Sequence, residues 1–217
     1  DGKTYSGFEG DTLASALLAN GVTLFGRSFK YHRPRGIFAA GGEEPNALVT
    51  LIRKGFREPN LKATQVEIFG GLEAESQNRF PSLAFDIGAA NGLAGGLFSS
   101  GFYYKTFMGP FRNTRFWMFC ERFIRKAAGL GRAGVVPDPD RYERMNALCE
   151  VLVVGAGPAG LRAAETAARS GLDVILEDEN SDIGGALRHA SGEINGQAIP
   201  AFTASVLEQL RALPNLR

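Results

Sequence analysis

Cysteine and histidine are nearly absent from this sequence. Cys120 and Cys149 stand alone among 217 residues, too few for a disulfide framework and suited to a reducing cytosol where thiols stay free. His32 and His189 are the only histidines, distant from each other in the chain. No metal-ligand spacing exists, so no metal-binding residue is expected. No Ser–His–Asp arrangement stands out either. An excess of one charge is also lacking: 24 Lys and Arg against 23 Asp and Glu leave +1. That balance removes the global electrostatic case for nucleic acid or an acidic membrane as partner. No run of roughly 18 apolar residues occurs, so no transmembrane helix is expected. Asp1-Gly2-Lys3 does not open a signal peptide. There is no initiator Met, and the last residues stop where a Rossmann half still needs its third strand. The chain therefore reads as a piece of a longer polypeptide.

What is present divides into three. Residues 1–70 predict a small α+β domain. A strand is expected at residues 3–5, then a helix capped by Asp11 or Thr12 and ended by Asn20-Gly21. Short apolar runs at residues 47–52 and 66–69 read as strands, and residues 27–35 form a basic loop, read either as a solvated loop or as a docking surface or phosphate contact. Residues 98–123 crowd ten aromatics among basic residues, with Glu121 as the only acid. Such a segment fits a connector packing its rings on neighbouring domains or subunits, ahead of a single-stranded nucleic-acid stripe or a membrane-surface helix. Pro137-Asp138-Pro139-Asp140 then reads as a linker.

The most specific signal follows the linker. Val151-Leu152-Val153-Val154 is a continuous apolar run, as expected of a parallel strand buried on both faces. It enters the turn Gly155-Ala156-Gly157-Pro158-Ala159-Gly160. In such a turn the first glycine permits the tight bend. The second lets a pyrophosphate approach the backbone, and the third lets the following helix pack closely on the sheet. The amides and dipole of that helix favour the phosphate charge. A second strand, residues 173–176, runs into Glu177, Asp178 and Glu179, about 20 residues on, where an acid binds ribose hydroxyls. Strand, glycine turn, helix, strand and acid together predict a dinucleotide site. The acids favour NAD over NADP, since carboxylates repel a 2′-phosphate; periodicity does not separate NAD from FAD. Gly184-Gly185 forms a second small-residue loop, read either as a helix-entry turn or as a place for the cofactor to lie close.

Several stretches are familiar. Gly26-Arg27-Ser28-Phe29-Lys30-Tyr31-His32-Arg33-Pro34-Arg35-Gly36, Glu43-Glu44-Pro45-Asn46-Ala47 and Gly101-Phe102-Tyr103-Tyr104-Lys105-Thr106-Phe107-Met108 resemble the alpha subunit of heterotetrameric sarcosine oxidase. So do Asp1-Gly2-Lys3, the helix from Gly10 to Gly21, Ala127-Ala128-Gly129-Leu130-Gly131 and the Pro-Asp linker. Amine and opine oxidase subunits share the layout. The resemblance implies a ferredoxin-like β-grasp domain over residues 1–96, a connector over 97–148 and the start of a Rossmann-type α/β domain over 149–217. It implies NAD in this chain, with FAD, FMN and tetrahydrofolate in the complete complex. Beta, gamma and delta subunits would be the partners. The implied reaction is oxidation of sarcosine by oxygen to glycine and peroxide, with the one-carbon unit passed to tetrahydrofolate. The flavin and folate regions lie elsewhere in that complex, so no catalytic residue is expected here. The family's strand end, hydrophobic-Asp-Glu-Arg with a small pair six residues after the Asp, falls on Asp178, Glu179 and Asn180, then Gly184, Gly185 and Ala186. Asn180 departs from the family's Arg. A plant-type iron–sulfur cluster needs Cys-x4-Cys-x2-Cys. Residues 1–119 hold no cysteine, and Ser28, Lys30 and Arg33 cannot replace thiolates, so no cluster is expected.

Overall fold

A computed structural model describes residues 2–96, 101, 107, 114–180 and 182–217. The chain forms two compact units, Asp1–Arg141 and Tyr142–Arg217. The connector expected over 97–148 is thus divided, its residues up to Arg141 clustering with the first unit. Phe98, Phe102, Tyr103, Tyr104 and Phe111 of the aromatic segment lie outside the described residues.

In the first unit, helix α1 (Leu13–Ala19) starts at a reciprocal cap. The Thr12 hydroxyl accepts from the Ser15 amide, and the Ser15 hydroxyl accepts from the Thr12 amide. The helix ends at Asn20, followed by Gly21 at φ +77°, a conformation that glycine adopts without strain. Leu13 and Ala14 face a core shared with Phe25, Ala47, Val49, Leu51, Ala63 and Val66. Two residue pairs form β1 (Gly26–Arg27) and β2 (Pro34–Arg35). The main sheet is antiparallel: β3 (Leu48–Arg53) runs between β4 (Phe56–Lys62) and β5 (Glu73–Ser76). Pro59 is tolerated in β4 because the register shifts there between Val49 and Leu51, a bulge where a ladder N–H is not needed.

Two expected strands are absent. Residues 3–5 are exposed and in no strand. Residues 66–69 form only an isolated bridge, Thr12 with Glu67, because the Val66 carbonyl accepts from the Leu13 amide and Ile68 donates to Asp11. The run's hydrogen bonding goes to the entrance of α1 rather than to a sheet.

The basic loop is not a solvated one throughout. Arg27 is buried; its Nε donates to the Leu83 carbonyl at 2.9 Å and its Nη1 to the His32 carbonyl at 3.1 Å. His32 is buried too, with Nδ1 at 2.6 Å from Asp86 Oδ2 and Nε2 at 2.8 Å from the Ala127 carbonyl. A carbonyl only accepts, so Nε2 carries a proton. Asp86 also receives the Phe80 and Gly88 amides. Loop 27–33 is therefore stitched to residues 78–88 by buried polar bonds. Helix α2 (Thr114–Ala127) exposes Met118, Phe119 and Phe123, with the last two rings in edge contact at 5.3 Å.

In the second unit, β6 (Val151–Val154), α3 (Pro158–Arg169) and β7 (Val174–Glu177) make a parallel β–α–β unit, with Val151 opposite Val174 and Val154 opposite Glu177. Ala164, Ala168 and Val174 are buried between helix and strands. β6 is not buried on both faces as expected: Leu152 is 54% and Val154 77% exposed. Helix α3 covers one side only, and no described element of this unit covers the other. After a 3-10 turn (Gly185–Arg188), a hairpin of β8 (Glu193–Ile194) and β9 (Gln197–Ala198) leads into α4 (Ile199–Arg211). The final residues return to the sheet: Leu216 bridges Val174 in parallel, and Val174 and Leu176 donate to the carbonyls of Asn215 and Arg217.

Candidate functional site

The glycine turn lies between β6 and α3. Gly155 sits at φ +100°, where only glycine is unstrained. Gly160 is held by backbone: a Cβ there would stand 1.8 Å from the Gly155 carbonyl oxygen and 3.5 Å from Val153 Cγ1. Close approach within the turn requires this glycine first, and packing on the strand second. Gly157 differs, since a Cβ on it would meet nothing within 4 Å. Gly157 caps α3, Pro158 occupies the first helical turn and Ala159 is exposed beside it. The space beside Gly157, where a side chain would stand, is therefore open at the N-terminus of α3, the place an anion would take.

Asp178 stands just beyond the end of β7. Its Oδ2 accepts from the Ala156 amide at 2.6 Å, and its Oδ1 from the Asn180 amide at 2.9 Å and the Asn180 side chain at 2.8 Å. The Ala156 amide, then the two Asn180 donors, hold its carboxyl below the usual carboxylate value. The group is ionised at neutral pH and fixed to the turn. Asn180, in place of an Arg, thus serves as a cap for Asp178. Glu177 and Glu179 are exposed, and Glu177 contributes its carbonyl to the Gly155 amide at 2.7 Å.

The second glycine loop closes on the first. Gly184 donates to the Ala156 carbonyl at 2.8 Å, and a Cβ on Gly185 would lie 2.9 Å from Gly157 Cα. Ala186 is exposed in the short 3-10 turn. The fold brings together Gly155, Ala156, Gly157, Gly160, Asp178, Asn180, Gly184 and Gly185. It leaves Glu179 and Ala186 at the margin. Arg188, which sequence reasoning passed over, adds a favourable charge to Asp178 and pairs with Asp182 at 2.8 Å.

A cavity of about 730 Å³ lies elsewhere, in the first unit, bordered by Arg57, Arg79, Arg122 and Arg125. Part of its charge is spent on Arg57–Glu75 and Arg125–Glu121 pairs. Among the described residues no group of three His, Cys, Asp or Glu could hold a metal ion, and no helix is long and apolar enough to cross a membrane.

Comparison with known proteins matches this division. Residues 1–79 match a family described as 2Fe-2S iron-sulfur cluster binding domain, and residues 150–205 match an FAD binding domain. Over 100% of its length the chain is 56% identical to a sarcosine oxidase subunit alpha of Rhizobium meliloti, and over 98% it is 38% identical to that of a Corynebacterium strain. The chain is homologous to sarcosine oxidase alpha subunits. It spans 22% and 17% of those two relatives, about a fifth of their length. A crystal structure of L-proline dehydrogenase from P. horikoshii superposes on the whole chain with a TM-score of 0.55 at 19% identity, covering 31% of that chain, a likeness of fold.

Two expectations meet these findings. The dinucleotide family matched is one of FAD, not NAD. Residues 1–79 match a cluster-binding domain family, yet the residues present do not fit a cluster. Residues 1–79 contain no cysteine, and the two thiols of the chain are at 120 and 149. Thiolates are what hold such iron.

Proposed function

We propose that residues 149–217 hold the ADP half of a dinucleotide in an alpha subunit of a heterotetrameric sarcosine oxidase. The observation that carries this reading is the open backbone beside Gly157, next to an ionised Asp178 bonded to the turn. The α3 amides would bind the pyrophosphate, and Asp178 would accept from ribose hydroxyls once its link to Asn180 is shared. Gly184 and Gly185 keep the second loop low enough for the cofactor to lie across it. NAD is the reading taken here, on the strength of the likeness to alpha subunits and the carboxylate that opposes a 2′-phosphate. FAD is the second reading, favoured by the family match. Either one, when bound, supplies two-electron redox chemistry.

In the whole protein the reaction would be oxidation of sarcosine to glycine, with tetrahydrofolate taking the one-carbon unit. FAD, FMN and tetrahydrofolate would be held in the complete complex, with beta, gamma and delta subunits as partners, in the cytoplasm. Residues 149–217 would bind and orient; the catalytic residues would lie outside this chain. The test is to denature the purified complete complex and identify the released nucleotides, then repeat with Gly157→Val. Loss of NAD alone supports the first reading and loss of FAD alone the second. Unchanged content of both refutes the site.

A further inference from the structure

The loop between β2 and β3 closes around a carboxylate. Glu44 is fully buried. Its Oε2 accepts from the amides of Phe38 at 2.6 Å and Ala39 at 2.8 Å, and its Oε1 accepts from the amide of Asn46 at 2.7 Å. Three backbone N–H groups from both arms of one loop converge on a single anion. An isolated carboxylate in such a place is strongly disfavoured and neutralises itself. Burial does push the Glu44 carboxyl up, but the amides of Ala39, Phe38 and Asn46, aided by the Asn46 side chain, outweigh it and hold the group below its usual value. Glu44 is therefore a buried, charged group satisfied by backbone.

The positions matter as much as the bonds. Plant-type cluster ligands run Cys-x4-Cys-x2-Cys. Ala39, Glu44 and Ala47 stand at that spacing, in a loop whose amides point at a common centre. The loop is backed by residues 62–65. Ala63 donates to the Ala47 carbonyl at 2.9 Å, and the buried Thr64 hydroxyl donates to the Gly41 carbonyl at 2.9 Å. A cluster with its thiolates is itself an anion, and backbone N–H groups bond its sulfurs. The loop retains such donors and lacks the thiols. Residues 38–47, not the basic loop with Ser28, Lys30 and Arg33, hold the cluster-like spacing.

We propose that Glu44 stands in place of the iron–sulfur cluster, as an internal anion around which the cluster-type loop folds without metal. The domain is then a redox-silent structural module. The test uses the complete protein. Hydrogen exchange of the 38–47 segment and the thermal midpoint are measured for native protein, Glu44→Gln and Glu44→Ala. Both variants should exchange this segment at least tenfold faster. Formate should slow exchange in Glu44→Ala in a saturable way, which chloride at equal ionic strength should not match, and should leave native protein unchanged. Native exchange in Glu44→Gln, or no formate response in Glu44→Ala, overturns the anion role. A variant with Ala39→Cys, Glu44→Cys, Ala47→Cys and Thr64→Cys, assembled with iron and sulfide, should gain iron and visible charge-transfer absorption over the native protein. No gain overturns the equivalence of this loop with a cluster loop.

Discussion

Asp178→Asn isolates the charge at the dinucleotide turn. The side chain keeps its size and one accepting oxygen, but the carboxylate that binds Ala156 and Asn180 is gone. The Ala156 bond is part-buried, whereas the two Asn180 bonds are exposed and count for less. A hydrogen bond to a charged group contributes about 1.5–3 kcal/mol. Losing that share at the turn and at the ribose should weaken NAD or FAD binding roughly 10- to 100-fold, at about 1.4 kcal/mol per decade. The preference for NAD over NADP should narrow, because repulsion of the 2′-phosphate disappears with the charge. The pH dependence follows from the sign of the shift. The folded state holds Asp178 below the ordinary value of 3.8. Its stabilisation is therefore complete above that value and is lost as pH falls through the lower folded one. Asp178→Asn should flatten the acid limb of stability below about pH 4. Isothermal titration with NAD, NADP and FAD on the complete protein, with urea melts from acid to neutral pH, measures both effects. Affinities within twofold of native for all three nucleotides would refute the role; if Glu177→Gln then lost binding, Glu177 would be the ribose acid.

Gly157→Val should fold normally, since nothing lies within 4 Å of its Cβ, yet lose the dinucleotide; retained stoichiometric cofactor refutes the site. Gly160→Ala should do the reverse of a surface change: its Cβ meets the Gly155 carbonyl oxygen at 1.8 Å, so an overpacking loss of about 1–3 kcal/mol should appear in urea melts. Gly185→Ala should weaken binding and stability together, because its Cβ would lie 2.9 Å from Gly157 Cα at φ +51°; a native melt with native affinity argues against contact between the two loops. His32→Ala should lower stability by about 1–3 kcal/mol by removing a buried hydrogen bond to Asp86, which keeps only the Phe80 and Gly88 amides, and no measurable loss would mean that water replaces the ring.

The β–α–β unit was legible because its signals are local. The apolar run 151–154, the glycine turn and the acid at 178 each follow from neighbours in the chain, and the observed strands lie within a residue or so of those expected. The same holds for α1 and its Thr12 cap. What failed depended on partners distant in sequence. Residues 66–69 have strand composition, but their carbonyls and amides are taken by the start of α1. The run 151–154 reads as doubly buried, yet a second covering layer is a property of other segments, and Leu152 and Val154 stay exposed here. Arg27 and His32 looked like members of a wet basic loop because Leu83, Ala84 and Asp86, which bury them, are more than fifty residues away. Glu44 was missed because an acid among Gly41, Gly42 and Glu43 resembles a solvated turn. Its signal was positional: an acid at the middle of an x4 and x2 spacing flanked by alanines.

The two units solve one problem in different ways. Each has a tight loop with backbone N–H groups aimed inward, and an unpaired buried N–H is unfavourable by about 1–3 kcal/mol. In the first unit Glu44 satisfies three such groups completely, and burial leaves no opening through which a ligand could compete. In the second, Asp178 takes the Ala156 and Asn180 amides, both outside α3, and the space beside Gly157 at the start of that helix stays open. A loop whose carboxylate is buried and fully bonded is set to be structure. A loop whose carboxylate is part-exposed, beside open space at a helix start, is set to receive an anion. By this reasoning a bound dinucleotide should protect the amides at the start of α3 from exchange and leave residues 38–47, already protected in the free protein, unaffected.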